Sequence, residues 1–551
     1  MKAFTAPYED VWGPRRARIV AGVLALIFTV IVGRSAYVAF NGPNKAALPV
    51  AKAEIARRGD IVDRKGELLA TTVQGKSLAV DPSAIWDSRD VVAGIRSVFP
   101  DLGEDALTAL MADKKRQFAW VKRELTDEQV KALKETGVEG LVFVDEPQRV
   151  YPNGRLAGHF LGYTSIDGEG LEGAERIYND QLKAGAGPLQ LTLDASVQFV
   201  VEEELQAAYA DFDMKGAVGI VVDANTGEVR AVASWPSVDP RGRGVEGDDA
   251  KTNRALNARM ELGSIYKPLT VAAALEAGVL KPTDMFDASK PVKIGSVTVR
   301  DPHPLPHAAS VSVTDILDYS SNIGAADIAQ RMGPVAQKTF LAKVGLLGGQ
   351  LAVGPQWASP LVPAQWDATA MATVAYGHGL SVSPMAFVMT YLPFANGGEY
   401  MLPSFVEPVD PAKVVRKRVM SAQTAATVLD MMRATVLEGS GKNAEARGYE
   451  VAGKTGTAEK PGPNGYDPDR NITSFAAIFP ASRPQYVVLV VLDEAQPRTG
   501  AQRTAAFTAA TIAGKVIARA APLLDVRPVL EATATRASIS GADAAAEADA
   551  Q

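Results

Sequence analysis

The spacing of apolar and polar residues changes several times along the chain, and each change marks an expected element. Residues 19–33 are continuously apolar, Arg34 interrupts them, and residues 35–40 resume the run. That length meets the ~20 residues a bilayer-spanning helix needs. Residues 41–50 form a short Pro/Gly/Ala linker. Residues 51–190 are mixed. Ile61 and Val62 lead into a turn with Gly66, residues 126–137 carry helical spacing, and residues 189–193 suit a short strand. Residues 196–212 predict an amphipathic helix. From Gly216 the pattern becomes that of apolar strands. Residues 217–223 and 228–234 flank Ala224-Asn225-Thr226-Gly227, a hairpin turn. A second apolar pair, residues 472–479 and 486–492, follows a polar loop at residues 461–470. Residues 505–520 predict a helix, and residues 264–344 a helical insert. The sum is an α+β fold, one mainly antiparallel sheet covered by helices. Beyond Val526 the tail is Ala, Asp, Glu and Ser with few large apolar residues, which predicts disorder.

Composition narrows the function. At 551 residues the chain can hold two or three domains, and its 47% hydrophobic content suits a real core. The net charge of −6 gives no reason to expect nucleic-acid binding. The absence of cysteine excludes disulfides, thiolate metal sites and cysteine nucleophiles. The four histidines show no metal spacing. Pro302, Pro304 and Pro306 forbid a helix that would pair His303 with His307, so surface loops are expected for all four, with no metal and no cofactor. Arg15, Arg16 and Arg18 precede the apolar run, which keeps the first 18 residues in the cytoplasm and exports everything after Phe40. Arg34 is placed to snorkel towards the outer interface. A cleaved signal peptide is the rival reading, but the run is long and no small-x-small site follows it.

Three short motifs carry the chemistry. Ser264-Ile265-Tyr266-Lys267, Ser320-Ser321-Asn322 and Lys454-Thr455-Gly456-Thr457 occur in that order. Each alone is weak: the first could be a solvated helix face, the second a cap or turn, the third a strand start. Their order and context match the constellation of penicillin-recognising serine acyltransferases. A serine hydroxyl needs a base within hydrogen-bond reach. Ser264 and Lys267, at i and i+3, share one face of a helix. The amine accepts a proton only when neutral, and burial beside a second cation, for which Lys454 is the candidate, favours that state. Pro268 falls in the first helical turn, so Ser264 sits near a helix N-terminus, where an oxyanion is favoured. Two decoys fail on context. Gly168-x-Gly170-x-x-Gly173 has no βαβ unit around it, and Asn471-Ile472-Thr473 leads a core strand rather than a glycosylated loop.

These motifs resemble the class B penicillin-binding proteins, membrane-anchored peptidoglycan D,D-transpeptidases, and most of all their cell-division (FtsI) type. Further matching stretches are residues 58–64 (Arg-Gly-Asp-Ile-Val-Asp-Arg), 149–154 (Arg-Val-Tyr-Pro-Asn-Gly), 170–175 (Gly-Leu-Glu-Gly-Ala-Glu) and 377–380 (Gly-His-Gly-Leu). The Ile265-Tyr266 filler departs from the family's usual small or β-branched pair. The resemblance implies a penicillin-binding transpeptidase fold over residues 191–525, an elongated pedestal over 41–190, a single transmembrane anchor over 19–40 and a tail at 526–551. No glycosyltransferase segment is expected between anchor and pedestal. It implies roles as well: Ser264 as nucleophile, Lys267 as base, Ser320 as proton relay, Asn322 holding a substrate amide and Lys454 as cation. Thr455, Gly456 and Thr457 would line the substrate carboxylate's site, and the backbone N–H groups of Ser264 and Thr457 the oxyanion hole. The substrates implied are peptidoglycan stem peptides ending in D-Ala-D-Ala, with β-lactams as covalent mimics. The implied setting is the inner membrane at the division septum, with the catalytic domain in the periplasm. The implied partners are divisome proteins, among them the SEDS-type glycan polymerase FtsW, which Arg34 could face. Three alternatives stay open: an elongation-type transpeptidase, a β-lactamase or penicillin sensor, and an inactive scaffold.

Overall fold

The computed structural model describes residues 14–41, 57–242, 248–348, 354–406, 411–462, 465–497 and 503–529. The linker at 42–50 and the tail from residue 530 lie outside the described residues. The chain divides into two units, Met1–Ile55 and Ala56–Gln551. In the first, helix α1 (Pro14–Asn41) is long and apolar enough to cross a membrane over Arg15–Tyr37. Its apolar side chains, such as Leu24, Phe28 and Val30, are exposed. Such exposure of apolar side chains is what a lipid-facing helix presents.

The second unit opens with β1 (Ile61–Val62) and the long strand β2 (Leu68–Val80), joined by the expected turn at Gly66. Helices α2 (Ser88–Val98) and α3 (Glu104–Ala112) follow, then β3 (Ala119–Leu125), α4 (Asp127–Glu135) and β4 (Leu141–Val150). Both β3 and β4 pair antiparallel with β2, and β1 pairs parallel with β5 (Leu189–Gln190). Thr126 caps α4 through a capping box with Gln129, satisfying donors that a helix start leaves orphaned. Leu78, Ile95, Met111 and Leu133 centre a small core of their own beneath these elements. Arg58 and Arg149 hold the buried Glu175 at 2.6 and 2.7 Å, so this charge is paired where burial would otherwise cost several kcal/mol. Arg58 also bonds the Gly168 carbonyl, so the Gly168–Gly173 stretch is a braced turn and not a nucleotide loop.

After α5 (Ala195–Asp211) the catalytic sheet begins. Strands β6 (Gly216–Asp223) and β7 (Val229–Trp235) form the predicted hairpin. Near the C-terminus come β8 (Ala452–Gly462), β9 (Gly465–Phe479) and β10 (Tyr486–Asp493). The five strands run antiparallel in the order β8-β9-β10-β6-β7. Side chains alternate between faces. Val218, Ile220, Leu489 and Val491 enter one core, while on the other face Val221, Val488, Val490 and Leu492 meet α5 and the C-terminal helix α10 (Ala509–Leu523). Burial on both faces explains why these strands read as continuous apolar runs.

Four expectations need correction. The polar stretch 461–470 is not a loop. β8 and β9 continue through it as a two-stranded ribbon, in register at Lys460↔Asp467, Pro461↔Tyr466 and Gly462↔Gly465. Backbone pairing builds such a ribbon without an apolar face, and Lys460 steadies it by bonding Asp493 and Glu494 at 2.7 and 2.8 Å. The last helix starts at Ala509, four residues later than its pattern suggested, because Ala505 and Thr508 are occupied with contacts to β8 and β9. The insert at 264–344 is not wholly helical, since Val292–Ile294 and Val297–Val299 pair as a small hairpin. His159 is not a surface-loop residue, since it sits half-buried in the short helix Gly158–Leu161 with Nε2 2.6 Å from the Ala250 carbonyl oxygen, and nor is His378. It is half-buried, its ring lying 5.4 Å from Tyr376 and 5.3 Å from Tyr466, and burial lowers its pKa to about 4.

Candidate active site

Each of the three motifs sits on a different element, and the fold brings them together. Ser264 lies in a 3-10 turn, Gly263–Tyr266, that runs into helix α6 (Lys267–Glu276) with Pro268 at its start. Helix α7 (Val313–Asp318) ends just before Ser320, and α8 (Asn322–Met332) begins with Asn322. Lys454–Thr457 occupies β8, the edge strand of the catalytic sheet. Gly263 has φ +63°, and a Cβ there would lie 2.6 Å from the Thr457 carbonyl oxygen. Only glycine permits that conformation and that approach without strain. The Ser264 turn is thereby laid against β8. Ser474 on β9 adds a second tie, donating to the Leu262 carbonyl at 2.8 Å.

Lys267 is fully buried, and its Nζ is the hub. It lies 3.0 Å from Ser264 Oγ, 3.1 Å from Ser320 Oγ, 2.8 Å from Asn322 Oδ1 and 2.5 Å from the Ser320 carbonyl. Burial, and then the neighbouring Lys454, hold its amine well below the usual lysine range, with Asp301 acting in the opposite sense. A neutral amine here keeps two N–H donors for carbonyl-type oxygens and a lone pair for the Ser264 proton. Lys454 is also fully buried. It donates to Ser320 Oγ at 3.0 Å and to the Thr455 carbonyl at 3.1 Å. Burial lowers its pKa to about 7, opposed by Asp318. Ser320 has φ +61°, a left-handed conformation that costs a non-glycine residue ~1–3 kcal/mol and tends to persist where function requires it.

The three residues after Lys454 differ in what they offer. Thr455 is buried and shares its hydroxyl with Ser440 Oγ at 2.8 Å and Lys454 at 3.3 Å. A Cβ at Gly456 would meet the Leu262 carbonyl oxygen at 2.3 Å, so this position is a close backbone approach. Thr457 is exposed, and its Oγ1 accepts from the Ala505 N–H at 3.3 Å.

Asp301, Asp318 and Ser440 escaped the sequence reading because none stands in a recognisable motif. Asp301 accepts from the backbone N–H groups of Asn322 at 2.6 Å and Ile323 at 3.0 Å, and from Ser321 Oγ at 2.8 Å. It therefore caps α8 and fixes Asn322, completing orphan donors at a helix start. Asp318 accepts from Thr435 Oγ1 at 2.8 Å, on helix α9 (Ala422–Leu437), and burial raises its pKa to about 6. Among the described residues no cluster of His, Cys, Asp or Glu could hold a metal ion. A base, a hydroxyl nucleophile, a bridging hydroxyl and a second cation within hydrogen-bond reach suit serine acyl transfer.

Residues 217–517 match the penicillin binding protein transpeptidase domain family. This chain belongs to that family. The N-terminal part of this penicillin-binding protein, residues 53–209, matches the penicillin-binding protein dimerisation domain. Among curated relatives, the probable peptidoglycan D,D-transpeptidase FtsI of Caulobacter vibrioides is 37% identical, covering 85% of this chain and 82% of the relative. The peptidoglycan D,D-transpeptidase FtsI of Escherichia coli K12 is 28% identical over 87% of each chain. The crystal structure of penicillin binding protein 3 from Mycobacterium tuberculosis, complexed with aztreonam, superposes with a TM-score of 0.65 at 27% identity. It covers 87% of this chain and 99% of that one. A peptidoglycan synthetase from Bifidobacterium adolescentis shares the fold, with a TM-score of 0.66 over 86% of this chain and 96% of that one at 22% identity.

Proposed function

We propose that this penicillin-binding protein is the septal peptidoglycan D,D-transpeptidase of its cell, forming cross-links through an acyl-enzyme on Ser264. The observation that carries the chemistry is Lys267, a buried amine 3.0 Å from Ser264 Oγ whose charge is opposed by both burial and Lys454. Ser264 Oγ attacks the carbonyl of the penultimate D-Ala of a stem peptide while Lys267 takes its proton. Ser320, bridging the two lysines, passes a proton to the departing D-Ala. Asn322 holds a substrate amide. Lys454, with Thr455, Gly456 and above all the exposed Thr457, receives the terminal carboxylate. Backbone N–H groups of Ser264 and Thr457 stabilise the oxyanion, where one lost donor costs about 3–4 kcal/mol. An amine of a neighbouring stem peptide then attacks the ester, forming the cross-link and freeing Ser264. β-Lactams acylate the same serine.

The domain reading is a cytoplasmic tail (1–18), an anchor (19–40), a pedestal (41–190), a transpeptidase domain (191–525) and a tail (526–551). Arg15, Arg16 and Arg18, at the start of α1 ahead of its apolar run, support an inner-membrane anchor with the site in the periplasm. The FtsI names of the relatives support the septum over the side wall. Recruitment then rests on the anchor and pedestal, with Arg34 facing a partner helix, most simply that of the SEDS-type polymerase FtsW or another divisome protein. Selective depletion, followed by microscopy, tests the cellular role. Blocked septation with continued growth in mass is the expected outcome. Loss of elongated shape with division intact would instead assign the chain to elongation.

A further inference from the structure

A cavity of about 540 Å³ lies away from the three catalytic motifs, between α5, the residue 153–156 segment and the end of β7. One stripe of α5 faces it. Phe199, Glu202, Glu203 and Gln206 recur at i, i+3, i+4 and i+7, so they lie on one side of the helix, and all line the cavity. Phe199 is 54% exposed, large for an aromatic ring on a soluble face. Trp235, at the end of β7, also lines it, with its ring 5.7 Å from that of Tyr209 and its indole Nε1 buried without a hydrogen-bond partner among the described residues.

Glu202 is the unusual member. Its Oε1 accepts from the Ala157 N–H at 2.8 Å and from Gln198 Nε2 at 2.7 Å, while Oε2 has no partner among the described residues. Burial raises its pKa to about 7, so near neutral pH the carboxyl is divided between a form that donates and a form that only accepts. Charge around the cavity is nearly balanced. Glu203 is paired with Arg519, and the Arg155 charge on the facing segment is offset by that of Asp239. A strongly cationic or anionic partner finds no excess of opposite charge here. Two aromatic faces with carboxyl and amide groups between them suit a neutral, amphipathic ligand that offers ring faces and many hydroxyl or amide groups.

We propose that this cavity is a second, non-catalytic site that binds the glycan strand of peptidoglycan, with Phe199 and Trp235 stacking on sugar rings while Glu202 and Gln206 bond hydroxyl and acetamido groups. The choice of glycan rests on the peptidoglycan substrate argued above; the cavity's geometry does not. Such a site would hold the strand whose stem peptides reach Ser264, separating strand capture from peptide chemistry.

The test uses the full-length protein in detergent, acylated beforehand at Ser264 with a penicillin so that the active site is closed. Soluble glycan strands stripped of stem peptides by an amidase, and carrying a fluorophore at the reducing end, are titrated by anisotropy. Saturable binding is expected, at least tenfold weaker in Phe199→Ala and in Glu202→Leu and close to wild type in Glu202→Gln. Penicillin labelling should be unchanged in all three, which also reports that they fold. Failure of the labelling in the wild type would sink the transpeptidase assignment without touching the glycan result. Absence of glycan binding, or binding indifferent to Phe199→Ala and Glu202→Leu, would overturn the proposal. So would tighter binding of a basic or acidic peptide than of the glycan at this cavity, which would make it a protein-docking surface.

Discussion

Lys267 and Lys454 converge on one hydroxyl. Their Nζ atoms lie 3.1 and 3.0 Å from Ser320 Oγ, and neither side chain is accessible to solvent. Two buried ammonium groups so placed disfavour each other's charge. Burial and then Lys454 hold the Lys267 amine well below the usual lysine range, while Asp318 opposes the burial that lowers the Lys454 pKa to about 7.

That balance predicts a pH dependence. With Lys454 as the proposed cation, acylation by a penicillin should need it charged, so the second-order rate should fall as pH rises through the Lys454 pKa, about 7 in the free enzyme. Asp318 favours the charged form, so Asp318→Asn should move this alkaline limb to lower pH while keeping the acceptor for Thr435. Stopped-flow acylation across the pH range reads both profiles. A limb that does not move in the variant would remove Asp318 from the charge balance.

Ser264→Ala should abolish covalent labelling by a fluorescent penicillin while the thermal unfolding curve stays close to wild type. Lys267→Ala should slow labelling by several orders of magnitude, since the base is lost and Ser264 Oγ keeps its proton. Full labelling of Ser264→Ala would place the nucleophile elsewhere.

Asp301 should act on catalysis through Asn322, from whose backbone N–H it accepts at 2.6 Å. Asp301→Ala should cost about 1 kcal/mol from the lost cap on α8 and slow acylation about tenfold by loosening Asn322. Asp301→Asn, which keeps an acceptor, should recover much of both. Thermal melts and labelling rates separate the two effects. Equal stability loss with unchanged acylation would show a purely structural cap.

Gly263→Ala should be among the most damaging single-methyl changes in the molecule. The new Cβ would meet Thr457 backbone atoms at 2.6, 2.9 and 3.1 Å in a residue already at φ +63°. Lifting the turn from β8 moves Ser264 away from Thr457, so labelling should drop sharply even in folded protein. Wild-type labelling rates in this variant would show that the Ser264 turn need not touch β8.

The anchor makes a prediction of its own. A chain beginning at residue 57 should purify without detergent and still label with penicillin, because the core from Ile61 onward closes without α1. Aggregation of that chain with loss of labelling would show that α1 contributes to the fold of the catalytic unit.

Much of this was legible one residue at a time, because it depends on local chemistry. Ser264, Lys267, Ser320, Asn322 and Lys454 stood out through short motifs whose residue types the reaction demands. The apolar runs at β6, β7, β9 and β10 announced the sheet, since strands covered on both faces must be apolar throughout. The apolar stretch after Arg15, Arg16 and Arg18 marked α1 by length alone. Contacts between distant segments could not be read this way. The ribbon at 461–470 forms through backbone hydrogen bonds, which leave no trace in side-chain polarity. Asp301 gained its place only when folding set it against the start of α8, twenty-one residues further along the chain. The shifted protonation of Lys267 needed burial and the approach of Lys454, and that of Lys454 needed burial; both depend on the Gly263–Tyr266 turn and α9 packing against β8. Residue types determined which chemistry was available; the tertiary structure decided the proton states that make it work, because charge in a protein is set by what surrounds it in space.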